Sequence, residues 1–198
     1  TKKLLEKASI KKDEINQVIF GNVLQAGNGQ NVARQISIIS DIPVDVPAMT
    51  INEVCGSGMK AVILARQLIQ LGEADLVIAG GTESMTRAPL LQQFDSETTS
   101  YNGPISSMVN DGLTDTFSNT HMGLTAENVA EQFGVTRKEQ DQYALDSQLK
   151  AAKATENNVF KEEIIPVTLP DGTLLENDEA IRGNSSLEKL GTLKTVFS

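Results

Sequence analysis

The chain carries one cysteine and one histidine among its 198 residues. Any thiol chemistry therefore falls on Cys55, which sits in "NEVCGSGMKAVILA", residues 52–65. The stretch before it is strand-like, and the stretch after it reads as a long helix. A helix N-terminus presents N–H groups without helical partners and a partial positive charge. Both favour the thiolate, the form of cysteine that attacks. Gly56 and Gly58 carry no side chains, so a bulky substrate can approach the sulfur and the nearby backbone closely. The same N–H groups are placed to stabilise an oxyanion on a thioester carbonyl. Behind them Val62, Ile63, Leu64, Ala65, Leu68, Ile69 and Leu71 make the helix apolar almost all round. Such a helix is expected to be buried and to serve as a rigid platform. The residues alone leave two readings of Cys55 open: a nucleophile, or a small buried hydrophobe of the inert kind.

Other residues offer weaker chemistry. A Cys55–His121 pair would suit a cysteine hydrolase acting on thioesters. The plain alternative is a loop histidine without a chemical role. "GNGQNVA" (27–33) lies between a strand and a helix, as a dinucleotide fingerprint would, but its spacing is loose and it reads better as a tight turn. There is no Gly-Lys-Ser/Thr phosphate loop. Met59, Met85, Met108 and Met122 could line a flexible acyl pocket, although Met59, Met85 and Met108 are assigned to core or loop. Arg182 alone would be a solvated surface arginine. One histidine and no Cys-x-x-Cys argue against a metal site.

These residues need a frame, and the composition supplies one. A hydrophobic fraction of 39% and a charged fraction of 22% fit an ordinary globular protein. The net charge of -9 without a basic stripe argues against nucleic acid as a partner. No apolar run approaches the ~20 residues that span a bilayer, so no membrane partner is expected. The start lacks the apolar centre of a signal peptide. A single cysteine excludes an internal disulfide and makes a reducing cytoplasm the default.

Along the chain, residues 2–8 read as the end of a helix and 15–24 as a strand. A helix is expected over 31–40, a short buried strand over 48–54, the helix 56–71 stopped by Gly72, and an apolar strand over 74–81. Strand, helix, strand at this spacing is a βαβ unit, which makes the first part α/β. Residues 92–107 read as an extended polar surface loop. Two amphipathic helices follow, over 125–135 and 136–158, the second opened by a Thr136–Glu139 capping box. A hairpin is expected across Pro170-Asp171-Gly172.

"NEVCGSGMKAV", "ADLVIAGGTESMTRAP", "DGLTDTF", "HMGLTAENVA" and "DEAIR", in this order and with "LQAGNGQNVARQ" upstream, resemble a thiolase of the biosynthetic acetyl-CoA acetyltransferase type. The likeness runs from about Leu4 to Phe197. It implies an α/β fold: a partial thiolase-like layered core, first core domain only, over residues 1–86, with an inserted α+β loop domain over 87–198. It implies acyl transfer between acyl-CoA thioesters, two acetyl-CoA giving acetoacetyl-CoA and CoA, through an acyl group on Cys55. It places substrate and CoA contacts on Leu113, His121, Met122 and Arg182. Lys189 stands where the family has a serine that helps hold CoA. No bound cofactor or metal is implied, since the CoA thioester is the substrate. The expected assembly is a homodimer or homotetramer.

Thiolases are about twice this long. On the resemblance, the opening strand and the whole second core domain are missing. That domain supplies the histidine of a Gly-His-Pro motif, an oxyanion-hole asparagine and a second cysteine. The expectation is therefore a truncated chain with little turnover of its own, and an apolar face left uncovered. The rival readings are a fragment that only binds CoA and a Cys-His thioester hydrolase.

Overall fold

The computed structural model describes residues 1–197, which form two compact units, Thr1–His121 and Met122–Ser198. This division groups residues 87–121 with the first unit, unlike the 1–86/87–198 partition implied by resemblance.

The first unit is built on three parallel strands, β1 (Gln17–Gly21), β2 (Ala48–Ile51) and β3 (Val77–Gly81), in the order β2-β1-β3. The register pairs Gly21 with Ile51 on one side and Gly81 on the other, so all three strands end together. Helix α1 (Lys2–Ala8) precedes β1, α2 (Val32–Ile39) links β1 to β2, and α3 (Ser57–Gln70) links β2 to β3. Parallel strands need such crossovers, and helices supply them here as the βαβ pattern requires. Leu5, Ile15, Val18, Ala33, Ile42, Val46 and Ile78 form the core. Central β1 is buried on both faces, with Val18 and Ile19 fully inaccessible. Edge strand β2 is only half-buried, less than its sequence suggests. Turns at Gly27 and Gly29 (φ 78° and 79°) lead into α2, whose cap Asn31 accepts from the Arg34 N–H and the Thr50 hydroxyl. The segment is thus a turn tied to β2.

Helix α3 departs from expectation. Its buried residues are the small ones, Ser57, Ala61 and Ala65, while Val62 is 57% and Met59 73% exposed. Small side chains let the helix lie close on β1 and β3. The opposite face exposes Ile63 and Ile69. Exposed apolar area of this kind promotes association. We expect the purified chain to self-associate with rising concentration, and the double variant Val62→Lys/Ile69→Lys to shift light scattering toward monomer.

Residues 90–106 are not an open loop. Strands β4 (Leu90–Leu91) and β7 (Ile105–Ser106) pair antiparallel, and beyond them β5 (Phe94–Asp95) pairs with β6 (Ser100–Tyr101). Phe94 and Tyr101 meet edge to face across the second ladder at 5.3 Å. This cross-strand contact supports pairing in a stretch whose polarity alone suggests a loop. A single π-helical turn, Met108–Leu113, then leads to the hairpin of β8 (Thr114–Asp115) and β9 (Thr120–His121).

The second unit holds α4 (Met122–Phe133), α5 (Arg137–Glu156), a hairpin of β10 (Val167–Thr168) and β11 (Leu174–Leu175), and the short α6 (Leu187–Gly191). The hairpin turns at Gly172 (φ 87°), as its sequence predicts. At the start of α5, the Thr136 N–H donates to the Glu139 carboxylate at 2.8 Å, and the Glu139 N–H returns to the Thr136 hydroxyl at 3.3 Å. Thr136→Ala should lower stability by ~1 kcal/mol, read as a shift in urea midpoint at constant slope. The Thr136 N–H, then its hydroxyl, holds the Glu139 carboxyl below its ordinary value. A group depressed in the folded state stabilises at neutral pH and loses that contribution as pH falls through its folded value. Glu139→Gln should remove this acid dependence. Among the described residues no helix is long and apolar enough to cross a membrane.

Candidate active site

The turn from β2 into α3 carries Cys55. Its backbone is strained at Val54, a β-branched residue held at φ 48°. This left-handed conformation costs a branched residue roughly 1–3 kcal/mol and persists only where neighbours impose it. The neighbours are visible. Asn52 Oδ1 accepts the Val54 N–H at 2.9 Å. Ser57 Oγ accepts the Glu53 N–H at 2.9 Å and donates to the Val54 carbonyl at 2.6 Å. The Gly56 and Ser57 N–H groups close the turn on the Glu53 and Val54 carbonyls, both at 3.1 Å. Those two donors are thus engaged inside the turn.

Cys55 itself is exposed. Exposure in this chain counts against the reading as a buried inert hydrophobe. The exposed thiol stands just before the N-terminus of a 14-residue helix.

Two glycines allow this closeness. A Cβ at Gly21 would lie 2.6 Å from the Ser57 carbonyl carbon and 2.7 Å from the Gly58 nitrogen. One at Gly81 would lie 3.4 Å from the Gly58 Cα. The first turn of α3 thus rests directly on the ends of β1 and β3. At Gly58 a Cβ would meet nothing within 4 Å. Its bare backbone faces open space.

Gly58 also borders a cavity of about 380 Å³ at the C-terminal edge of the sheet. Cys55 and Gly58 form one side. The residues after β1, Val23 and Leu24, form a second, and Thr82, Glu83 and Met85 after β3 form a third. The π-helical turn brings in Met108, Gly112 and Leu113. Clefts beyond the carboxyl ends of parallel strands are where open α/β sheets bind ligands. Apart from Glu83 and Thr82, the side chains lining it are mostly apolar, which suits an acyl chain better than a charged group.

Of the residues singled out from sequence, the structure brings Cys55 and Leu113 to this one cavity. His121 is not among its lining residues; β9 sets it opposite Thr114, next to Leu113. Met122 begins α4 in the second unit. Arg182 lies in the second unit too, its N–H on Gln148 Oε1 at 2.6 Å and its carbonyl accepting the Ser185 hydroxyl at 2.8 Å. Lys189 lies on α6, with its ammonium on the Asn184 carbonyl at 2.8 Å. A larger cavity of about 690 Å³, bordered by Thr155, Lys161, Glu163 and Asp178, holds none of the singled-out residues.

Sequence reasoning missed four participants. Met85 and Met108, assigned to core or loop, line the Cys55 cavity. Ser57 clamps the turn, a role hinted at only by its place two residues past the cysteine. Glu83 sits in the cavity wall, and no spacing rule connects it with Cys55.

Three comparisons bear on this arrangement. A family model described as "Thiolase, N-terminal domain" matches residues 1–198. Among curated relatives, a probable acetyl-CoA acyltransferase of Staphylococcus aureus (strain MRSA252) is 45% identical over 201 residues, covering 98% of this chain and 51% of that protein. One of Staphylococcus epidermidis (strain ATCC 12228 / FDA PCI 1200) is 46% identical over 207 residues, covering 99% and 51%. Among solved structures, the Acat5 thiolase from Ascaris suum in complex with coenzyme A superposes with a TM-score of 0.90 at 36% identity, covering 100% of this chain and 50% of that one. The chain spans about half the length of the curated relatives it matches. Its fold is a partial thiolase core, and the chain belongs to the thiolase family, matched over its N-terminal domain.

Proposed function

We propose that the protein of which this sequence forms part transfers acyl groups between CoA thioesters, with Cys55 as the group that carries the acyl. The observation that carries this reading is the exposed thiol on a strained turn, at the head of α3 and on the rim of an apolar cavity. Family membership agrees with it.

In the proposed reaction the Cys55 thiolate attacks the thioester carbonyl. A C–S bond to the enzyme forms as the C–S bond to CoA breaks, and CoA leaves as its thiol after taking up a proton. The α-carbon of a second acyl-CoA, having given up a proton, then attacks the acyl carbonyl; a C–C bond forms as the C–S bond to Cys55 breaks, and the released Cys55 thiolate takes up a proton. With two acetyl-CoA molecules the product is acetoacetyl-CoA, and the same steps run in reverse. Leu113 lies in the cavity beside Cys55 and is proposed to contact the acyl group. His121, Met122 and Arg182 are proposed to contact CoA. The proposal includes no metal and no bound cofactor, and a cytoplasmic homodimer or homotetramer. A single cysteine supports a reducing setting.

This chain has one histidine and one cysteine. The histidine and second cysteine expected to activate the nucleophile and move its proton have no counterpart in it. We therefore expect the 198-residue chain to accept an acyl group slowly and to turn over little. The hydrolase reading loses support because His121 does not line the cavity at Cys55.

The test is intact mass spectrometry before and after incubation with acetyl-CoA, followed by peptide mapping. One acetyl group on the peptide holding Cys55 is expected. CoA binding by calorimetry with no acetyl adduct would favour the binding-only reading. Released acetate with no lasting adduct would favour hydrolysis.

A further inference from the structure

Glu83 lies two residues past β3, in the wall of the Cys55 cavity, and the proposed reaction assigns it nothing. Its carboxylate gathers donors from three consecutive residues after β1. Oε1 accepts from Asn22 Nδ2 at 3.1 Å and from the Val23 N–H. The Leu24 N–H points at both oxygens, 3.4 Å from Oε1 and 3.3 Å from Oε2. Asn22 is 2% exposed and knots the three strand ends together. Its Nδ2 also donates to the Thr82 carbonyl at 2.8 Å, and its backbone N–H donates to the Ile51 carbonyl at 3.0 Å. Both partners of Nδ2 are pure acceptors, which fixes the orientation of the amide.

A carboxylate offers about four lone-pair sites. Those of Oε1 are taken by N–H groups and Oε2 receives the shared Leu24 N–H, so the carboxylate's bonding is spent on the segment after β1. The donors belong to the segment whose side chains, Val23 and Leu24, face the cavity. Bonds from N–H to a charged acceptor are among the stronger ones a loop can make.

We propose that Glu83 is a positioning residue: it holds the Asn22–Leu24 segment so that Val23 and Leu24 form a fixed apolar wall for the acyl chain bound at Cys55. This rests on the acyl-transfer reading for its purpose, but not for its test. The contribution is to fit rather than to chemistry, so it should show as a dependence on chain length.

The test compares the rates at which N-methylmaleimide and N-hexylmaleimide modify Cys55, followed by mass and normalised to glutathione. The wild-type chain should favour the hexyl reagent by ~10-fold, since added methylenes are buried against the wall. Glu83→Ala should bring the ratio to within ~2-fold of glutathione, while Glu83→Gln, whose Oε1 still accepts the Val23 and Leu24 N–H groups, should keep most of the preference. A purely structural role would lower the melting temperature and leave the ratio unchanged in the folded fraction. An unchanged ratio in Glu83→Ala, or a wild-type ratio equal to that of glutathione, overturns the assignment. If Glu83→Ala does not fold, a Glu83→Gln ratio as low as that of glutathione overturns it as well. Acetyl uptake by the wild type is measured in parallel. Its absence alongside an intact maleimide preference counts against acyl uptake by this chain and leaves the wall-holding role standing.

Discussion

Cys55→Ser is expected to abolish acyl uptake while leaving the fold intact. The two side chains differ by one atom, and Cys55 is exposed, so packing changes little. Substitutions at such positions usually move stability by less than about 0.5 kcal/mol. The chemistry changes far more. A thiol supplies thiolate near neutral pH and is intrinsically nucleophilic, whereas a serine hydroxyl needs an adjacent base. Oε1 of Glu83 is engaged by N–H donors and His121 does not line the cavity, so no base is shown placed against residue 55. Acetyl uptake should fall by ~10³-fold or more, the scale on which removal of a covalent nucleophile acts. The check is intact mass after incubation with acetyl-CoA, with the urea midpoint measured alongside. An acetyl adduct on Cys55→Ser at the wild-type rate would place the acyl group elsewhere and sink the assignment.

How much of this was legible in the sequence depends on whether the signal was local. The βαβ core was readable because apolar runs and turn residues report burial residue by residue. The capping box of α5 and the turn at Gly172 were readable because their bonds join residues a few positions apart. Cys55 stood out by being the one thiol and by preceding a helix. Met85, Met108 and Glu83 did not stand out, because their meaning lies in contacts across the sheet edge. Glu83 bonds to residues about sixty positions away, and no period or motif spans that gap. The error on α3 has a different cause. Its sequence shows that an apolar helix needs cover on all sides, but not which molecule supplies it. Ala61 and Ala65 are buried, while Val62 and Ile69 are exposed. Both facts accord with relatives twice as long.

Gly21 and Gly58 lie on either side of the same contact, and they should respond in opposite ways to one added methyl group. At Gly21 the new Cβ would sit 2.6–2.7 Å from backbone and Cβ atoms of the first turn of α3. Backbone on both sides cannot rotate away as a flexible side chain can. Either β1 or the head of α3 must shift, and Asn22 and Ser57 fasten both. Overpacking of this kind typically costs 1–3 kcal/mol, and a backbone clash belongs at about 3 kcal/mol or beyond. Gly21→Ala should therefore lower the urea midpoint sharply and slow acyl uptake even in the folded fraction, because the Cys55 turn rides on the displaced helix. At Gly58 the new Cβ meets no atom within 4 Å, and a helix prefers alanine to glycine by up to ~1 kcal/mol. Gly58→Ala should fold at least as stably as the wild type. Gly58 borders the cavity beside the thiol, so a methyl there should hinder the substrate and acyl uptake should fall while stability holds or rises. Denaturation and acetylation measured on the two variants would separate the two demands on this turn. If Gly58→Ala took up acetyl at the wild-type rate, the open space above its backbone would not be the path of the substrate. If Gly21→Ala were as stable as the wild type, the close seat of α3 on β1 would not be what fixes Cys55.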